Sequence, residues 1–232
     1  DLLKKLDEIL PEADASSSSH YRYRKLFVVL HTYGSHFNYQ ERYPRSFAYF
    51  KPDSRSEAKP ENRQDLLNAY DNTIRYTDYI LHGIVERLQK WEKVQAKTQA
   101  KTQAKTDGEY CQPTSAMLYT SDHGENIFDD DRRLFLHAAP KASDYELHVP
   151  FIIWTSEGFG NEYPNTWKAL GENRTKQVQT SLSAFHTMLG IGGIRTPYRL
   201  DEYSVASGKY HPARLLYLDD HDEAIPQEDA KF

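Results

Sequence analysis

One segment limits the fold more than any other: RQDLLNAYDNTIRYTDYILHGIVERLQKW, residues 63–91, in which Leu67, Tyr70, Ile74, Thr77, Leu81, Ile84, Leu88 and Trp91 recur at alternating steps of three and four. That spacing lays them along one face of an α-helix, with Trp91 expected to mark its end. A coiled-coil seam needs more turns, so the helix is expected to be a crossover packed on a sheet. Around it stand three short runs with nearly continuous apolar centres: KLFVVLH (25–31), TSAMLYTS (114–121) and VPFIIWT (149–155). Such runs suit strands covered on both faces by helices, which predicts an α/β fold built on a parallel sheet.

The remaining segments are less demanding. DLLKKLDEIL reads as a first helix, and the polar SSSSHYRYRK at 16–25 as a link into the first strand. After the long helix the unit QAKT appears three times in succession. A repeat so short and polar has little to bury, so residues 92–110 are expected to form an exposed low-complexity insertion, or an extension of the helix, within a single domain spanning residues 1–232. TSLSAFHTMLGIGGI has a helical pattern with a glycine stop, and ARLLYLDD (213–220) reads as a short edge strand.

Composition removes several function classes. A formal net charge of −5 and a pI near 6.1 leave no basic stripe for a nucleic acid. The longest apolar runs, LFVVL and VPFIIW, fall well short of the roughly 20 residues of a membrane-spanning helix. Cys111 is the only cysteine and can form no disulfide within the chain.

Chemistry concentrates just past the C-terminal ends of two predicted strands, where open α/β sheets place their ligands. LHTYGSHFNYQERYP carries His31 and, across Gly34, His36; YTSDHGEN carries Asp122 and His123; LFLHAAP carries His137. Asp122 and His123 would face opposite sides of a strand, but a chain that breaks into a loop at Gly124 can turn both to one point. A carboxylate and an imidazole are both good zinc ligands, and the same three letters are common in plain turns. His36 and His137 are available as further ligands or as phosphate contacts. His31 also fits a satisfied histidine at the edge of the core, and Asp129–Asp131 reads as a solvated loop tip rather than a calcium site.

Taken in order, VVLHTYGSHFNYQERYP, LLNAYDNTI, YTSDHGE and LFLHAAP resemble the catalytic domain of bacterial phosphoethanolamine transferases, members of the sulfatase and alkaline phosphatase superfamily. The resemblance covers residues 25–195, and the HTxGSHxxYxxRYP pattern is far more specific than the bare DHG. It implies a three-layer α/β/α sandwich of the alkaline phosphatase type with a mostly parallel sheet. It implies Zn2+ as cofactor, with Asp122 and His123 as ligands, and His31, His36 and His137 beside the phosphoryl group. In that family a threonine hydroxyl attacks phosphatidylethanolamine, and the covalent phosphoethanolamine-threonine then passes its group to a glycolipid such as lipid A. The resemblance also implies the periplasmic domain of a bacterial inner-membrane protein.

Three features depart from the family pattern. No threonine stands in the nucleophile's context: Thr32 lies inside the histidine motif and Thr114 opens a strand. The chain is therefore expected to be the C-terminal part of the domain, without its first strands, its nucleophile or the membrane-bound region that precedes them, and to be inactive alone. Cys111 lacks the partners that many members have, and LHA at 136–138 and TSLS at 180–183 replace the usual LHG and SHDN. Two other functions remain open on the same fold, a sulfatase or phosphoester hydrolase and a non-catalytic binding module. An upstream threonine would favour the transferase, and a Cys-x-Pro-x-Arg segment a sulfatase.

Overall fold

The long helix sets the arrangement, and it is longer than its apolar pattern: α2 spans Arg63–Gln103. In this computed structural model, which describes residues 2–15, 25–103, 113–137, 141–219 and 221–229, it follows α1 (Leu2–Ala15) and precedes β1 (Ala116–Thr120), β2 (Asn126–Ile127), β3 (Phe135–Leu136), α3 (Asp144–Leu147) and β4 (Phe151–Thr155). Then come α4 (Phe159–Glu162), α5 (Pro164–Asn173), α6 (Thr180–Ile191), β5 (Leu216–Leu218) and β6 (Ala224–Pro226). Most of the polar link at 16–25, together with Cys111 and the end of the QAKT tract, lies outside the described residues. Contacts divide the chain into two compact units, Asp1–Arg87 with Gly124–Glu146, and Leu88–His123 with Leu147–Lys231.

In the first unit the inward face of α2 is wider than its apolar stripe and offset from it. Ile84 of the stripe is buried and Leu67 and Tyr70 pack half-buried on the core, but Ile74 is exposed, and Leu66, Ala69, Asn72 and Thr73, outside the stripe, are buried. The polar members are buried because they serve the loop that crosses them. The Asn72 amide oxygen accepts from the backbone N–H groups of Tyr49 and Phe50, both at 2.9 Å, and its nitrogen donates to the Phe50 carbonyl at 3.0 Å. Asn68 donates to the Pro52 carbonyl at 2.7 Å. A helix that meets a loop rather than a sheet must satisfy backbone groups there, and asparagine can both donate and accept. Nor does Trp91 end the helix, since Gln, Ala and Lys in the repeat are good helix formers that extend it. The first helix, α1, packs on α2 through a fork of Arg87 on Asp7, at 2.8 and 3.0 Å.

The apolar heart of this unit joins three segments: Tyr39 from the loop before α2, Leu66 and Ala69 from α2, and Ile127 from β2. Aromatic edges complete it, with Phe37 meeting Tyr39 at 5.3 Å and Phe135 at 5.1 Å between ring centroids. Antiparallel pairing of β2 with β3 makes a small hairpin, tied to the start of α2 by Arg63, which donates to the Phe128 carbonyl and the Asp129 carboxylate at 2.8 and 3.1 Å. Asp129 also accepts from the Ile127 N–H at 2.6 Å, so it is a structural anchor and not the solvated tip expected for 129–131.

In the second unit β1 and β4 lie within the predicted strands 114–121 and 149–155 and pair antiparallel, from Ala116 opposite Thr155 to Thr120 opposite Phe151. The parallel sheet expected from these runs is not found among the described residues, where all three strand pairs are antiparallel, because an apolar run reports cover on both faces and says nothing of direction. Phe159, Ile191 and Ala206 form the core here, against Ala116, Ile153 and Leu170. The predicted late helix is α6, ended at Gly192, and the predicted edge strand shortens to β5, paired with β6. The strand expected over 25–31 does not form among the described residues. Leu26, Phe27 and Val29 are 48%, 69% and 74% exposed, and apolar side chains alone make no strand without a partner ladder.

Two consequences can be measured by denaturation. Asn72→Ala leaves the two N–H groups of Tyr49 and Phe50 without an acceptor in a fully buried place, and is expected to destabilise the protein by about 2–4 kcal/mol in urea. Burial and the Asp53 carboxylate, which accepts the Tyr43 hydroxyl at 2.7 Å, push that hydroxyl up to about 12 against the opposing Asn72 amide. A raised folded value stabilises fully below the unfolded tyrosine range near 10 and is lost as pH climbs towards 12. Tyr43→Phe is expected to flatten the fall in stability between those limits.

Candidate active site

The histidine loop is held in a closed turn. Gly34 adopts a φ of +55°, a left-handed conformation open to glycine, and the His36 N–H donates to the Tyr33 carbonyl. The His36 ring meets Tyr33 edge-on at 5.2 Å, and its Nδ1 lies against the Phe37 carbonyl. Because a carbonyl only accepts, Nδ1 carries the proton there and Nε2 is the nitrogen left for chemistry.

A second segment brings His137 to the same place. His36 and His137 stand 6.5 Å apart between ring centroids, inclined at 67°. Behind His137 lies Glu125, its side chain only 4% exposed, with Oε1 at 3.3 Å from Nδ1. This arrangement, in which a buried carboxylate fixes the tautomer and direction of a working imidazole, recurs at metal and acid–base sites. Glu125 and His137 together are also a carboxylate–imidazole group able to hold a metal ion. Glu125 further raises the Tyr39 hydroxyl, after burial, which is the larger cause.

Sequence reasoning missed Glu125. The signal was present, since in extended chain residues two apart face the same way, so DHGE offers His123 and Glu125 to one side. Gly124 also works differently from the expectation that it lends turning freedom. A Cβ there would lie 2.0 Å from the Tyr145 backbone oxygen, and its N–H donates to the Glu146 carbonyl at 2.7 Å. What the position requires is close approach of two backbones.

Asp122 and His123 follow the end of β1 in the second unit. Their ligand atoms, Asp122 Oδ2 and His123 Nε2, lie 3.8 Å apart, near the about 3.4 Å edge of a tetrahedron with zinc–ligand bonds of about 2.1 Å. Asp122 Oδ1 accepts the His123 N–H at 3.1 Å, and the Ser121 hydroxyl donates to the His123 carbonyl at 2.8 Å, fixing the turn. Burial works to raise the Asp122 carboxyl, but the charge of His123, backbone N–H groups and the Ser121 hydroxyl outweigh it and hold it below the usual range. The carboxylate is thus ionised and ready for a cation, and the donor set fits zinc. His31, by contrast, is exposed and has no hydrogen bond or ring contact among the described residues.

Residues 1–94 and 109–194 match the sulfatase family. The chain belongs to that family. It is 31% identical over 193 residues, 82% of its length, to the phosphoethanolamine transferase EptA of Salmonella typhimurium, and spans about a third of that relative, 31% of its length. It superposes on the soluble domain of lipooligosaccharide phosphoethanolamine transferase A from Neisseria meningitidis with a TM-score of 0.66 and 25% identity, covering 91% of this chain and 56% of that one. The C-terminal periplasmic domain of EptC from Campylobacter jejuni shares the fold, with a TM-score of 0.66, 24% identity, and coverage of 90% and 59%. The expected α/β fold of the alkaline phosphatase type therefore stands, as does the likeness to phosphoethanolamine transferase catalytic domains.

The glycine contact can be checked directly. Gly124→Ala is expected to destabilise the protein by about 3 kcal/mol, because the obstacle is backbone that cannot rotate away. A thermal unfolding midpoint equal to the parent's would show that no such close approach exists.

Proposed function

We propose that the chain is part of a zinc-dependent catalytic domain that transfers phosphoethanolamine from phosphatidylethanolamine to a cell-envelope glycolipid such as lipid A, at the periplasmic face of a bacterial membrane. The observation that carries this reading is the pairing of His36 and His137 in one unit, with buried Glu125 behind the second ring. The family match and the similar transferases support it. No helix among the described residues is long and apolar enough to cross a membrane.

In this reading Asp122 and His123 are zinc ligands. When bound, zinc lowers the pKa of an attacking hydroxyl and offsets phosphoryl charge. His36 is turned so that Nε2 faces a phosphoryl oxygen, to which it would donate only when the ring carries both protons, the ring being fixed by the Nδ1–H bond to the Phe37 carbonyl. His137, directed by Glu125, donates a proton to the oxygen that leaves as its bond to phosphorus breaks. The attacking group would be a threonine hydroxyl, assigned to no threonine of this chain, which gives its proton to solvent as its oxygen forms the new O–P bond and regains one when the phosphoethanolamine passes to an acceptor phosphate. His31 belongs to the same loop and is read as a substrate contact.

Transfer by the full-length protein, followed as the mass increase of lipid A in vesicles containing phosphatidylethanolamine, tests this. Asp122→Asn and His137→Ala are each expected to lower kcat by about 10²–10⁴-fold, and zinc chelation to abolish turnover reversibly. Hydrolysis of a sulfate ester or phosphodiester without transfer would instead make the protein a hydrolase. Parental rates in both variants would contradict the roles given to Asp122 and His137, and a parent that neither binds zinc nor turns over would be a binding module on a retained fold.

A further inference from the structure

The orientation of His36 depends on two neighbours, and one side chain holds both of them. The His36 ring rests edge-on against Tyr33, 5.2 Å between centroids, and its Nδ1–H points at the Phe37 carbonyl. Arg42 reaches back across the turn to each. Its guanidinium carbon lies 4.2 Å from the centre of the Tyr33 ring, within the range of a cation–π contact. One nitrogen, Nη2, donates to the same Phe37 carbonyl at 3.3 Å, and Nε donates to the His36 carbonyl at 3.0 Å.

Arg42 is itself on fixed ground. It closes the turn Tyr39–Glu41, donating its backbone N–H to the Tyr39 carbonyl at 3.0 Å, and Tyr39 is fully buried in the core of the unit. The Arg42 side chain is only 21% exposed, whereas Tyr33 and His36 stand at the surface. A planar fork with five donors can bridge two carbonyls and stack on a ring at once, and lysine cannot do the same.

We propose that Arg42 is a positioning residue for His36, acting through the Phe37 carbonyl and the Tyr33 ring to fix the direction of Nε2. The inference rests on the part assigned above to His36 in phosphoryl transfer. Arg42 touches no reacting atom. Its loss frees the imidazole to turn, and a misplacement of about 1 Å at a reacting group can reduce a rate about 10²-fold.

The test uses the full-length protein and a double-mutant cycle. Arg42→Lys is expected to keep the parent's unfolding midpoint and KM while lowering kcat about 10–100-fold. Tyr33→Leu, a change at an exposed ring, is expected to give a smaller loss in the same parameter. His36→Ala lowers kcat further, and Arg42→Lys placed on top of it is expected to remove nothing more, because the group it positions is already gone. The His36 ring Cε1–H resonance, assigned by its absence in His36→Ala, is expected to be a single sharp signal in the parent and to broaden or split in Arg42→Lys. Losses that multiply in the double variant, or an unchanged resonance, would overturn the inference and leave the reading of His36 standing. A parental rate in His36→Ala would overturn that reading and the inference with it.

Discussion

Burial of Tyr39 is the contact on which the candidate site depends. This one ring, from the histidine loop, packs on Leu66 and Ala69 of α2 and on Ile127 of the β2–β3 hairpin, so the three segments share a single core. The loop that ends in Tyr39 carries His36, and the hairpin that begins beside Ile127 carries Glu125 before it and His137 after it. Neither segment has enough regular structure to hold its own geometry, since β2 and β3 are two residues each. Apolar burial brings them together, and polar bonds then fix their register.

Those polar bonds have a common logic. Asn72 satisfies two N–H groups and a carbonyl of the 49–50 loop, Arg63 with Asp129 ties the hairpin to the helix, and Arg42 spans the histidine loop. In each case a side chain on a well-anchored element completes the hydrogen bonding of irregular backbone that would otherwise be left unsatisfied. Irregular chain can then be held with its histidines at a surface, the preorganisation that the proposed phosphoryl transfer would need. Asp122 and His123 are held by the same means on a smaller scale, through Ser121 and the Asp122 carboxylate itself.

How much of this was legible in the sequence differs by element. The long helix, the strands at 116–120 and 151–155 and the late helix follow from apolar spacing, because burial of one face leaves a periodic trace. The inward face of α2 followed only in part: Leu67, Tyr70 and Ile84 face the core, but Asn68 and Asn72 also face inward, for hydrogen bonds that only the folded loop reveals. A strand at 25–31 was inferred from side chains alone, whereas a strand needs a partner ladder. For the site, His36 and His137 were picked out by position past apolar runs and by the family pattern, and the structure brings them together. Glu125 and Arg42 were passed over because each acts through a neighbour. Nothing in residue type distinguishes a positioning carboxylate from a solvated one.

The central proposal is that Asp122 and His123 of the DHG turn hold a zinc ion and that His36 and His137 serve as phosphoryl contacts. Anomalous diffraction at the zinc edge from crystals of the full-length protein tests it most directly. The account predicts one strong peak bonded to Asp122 Oδ and His123 N at about 2.0–2.2 Å, lost in Asp122→Ala. A zinc-loaded crystal with no peak at these two residues, or a peak that survives the substitution unchanged, would contradict it.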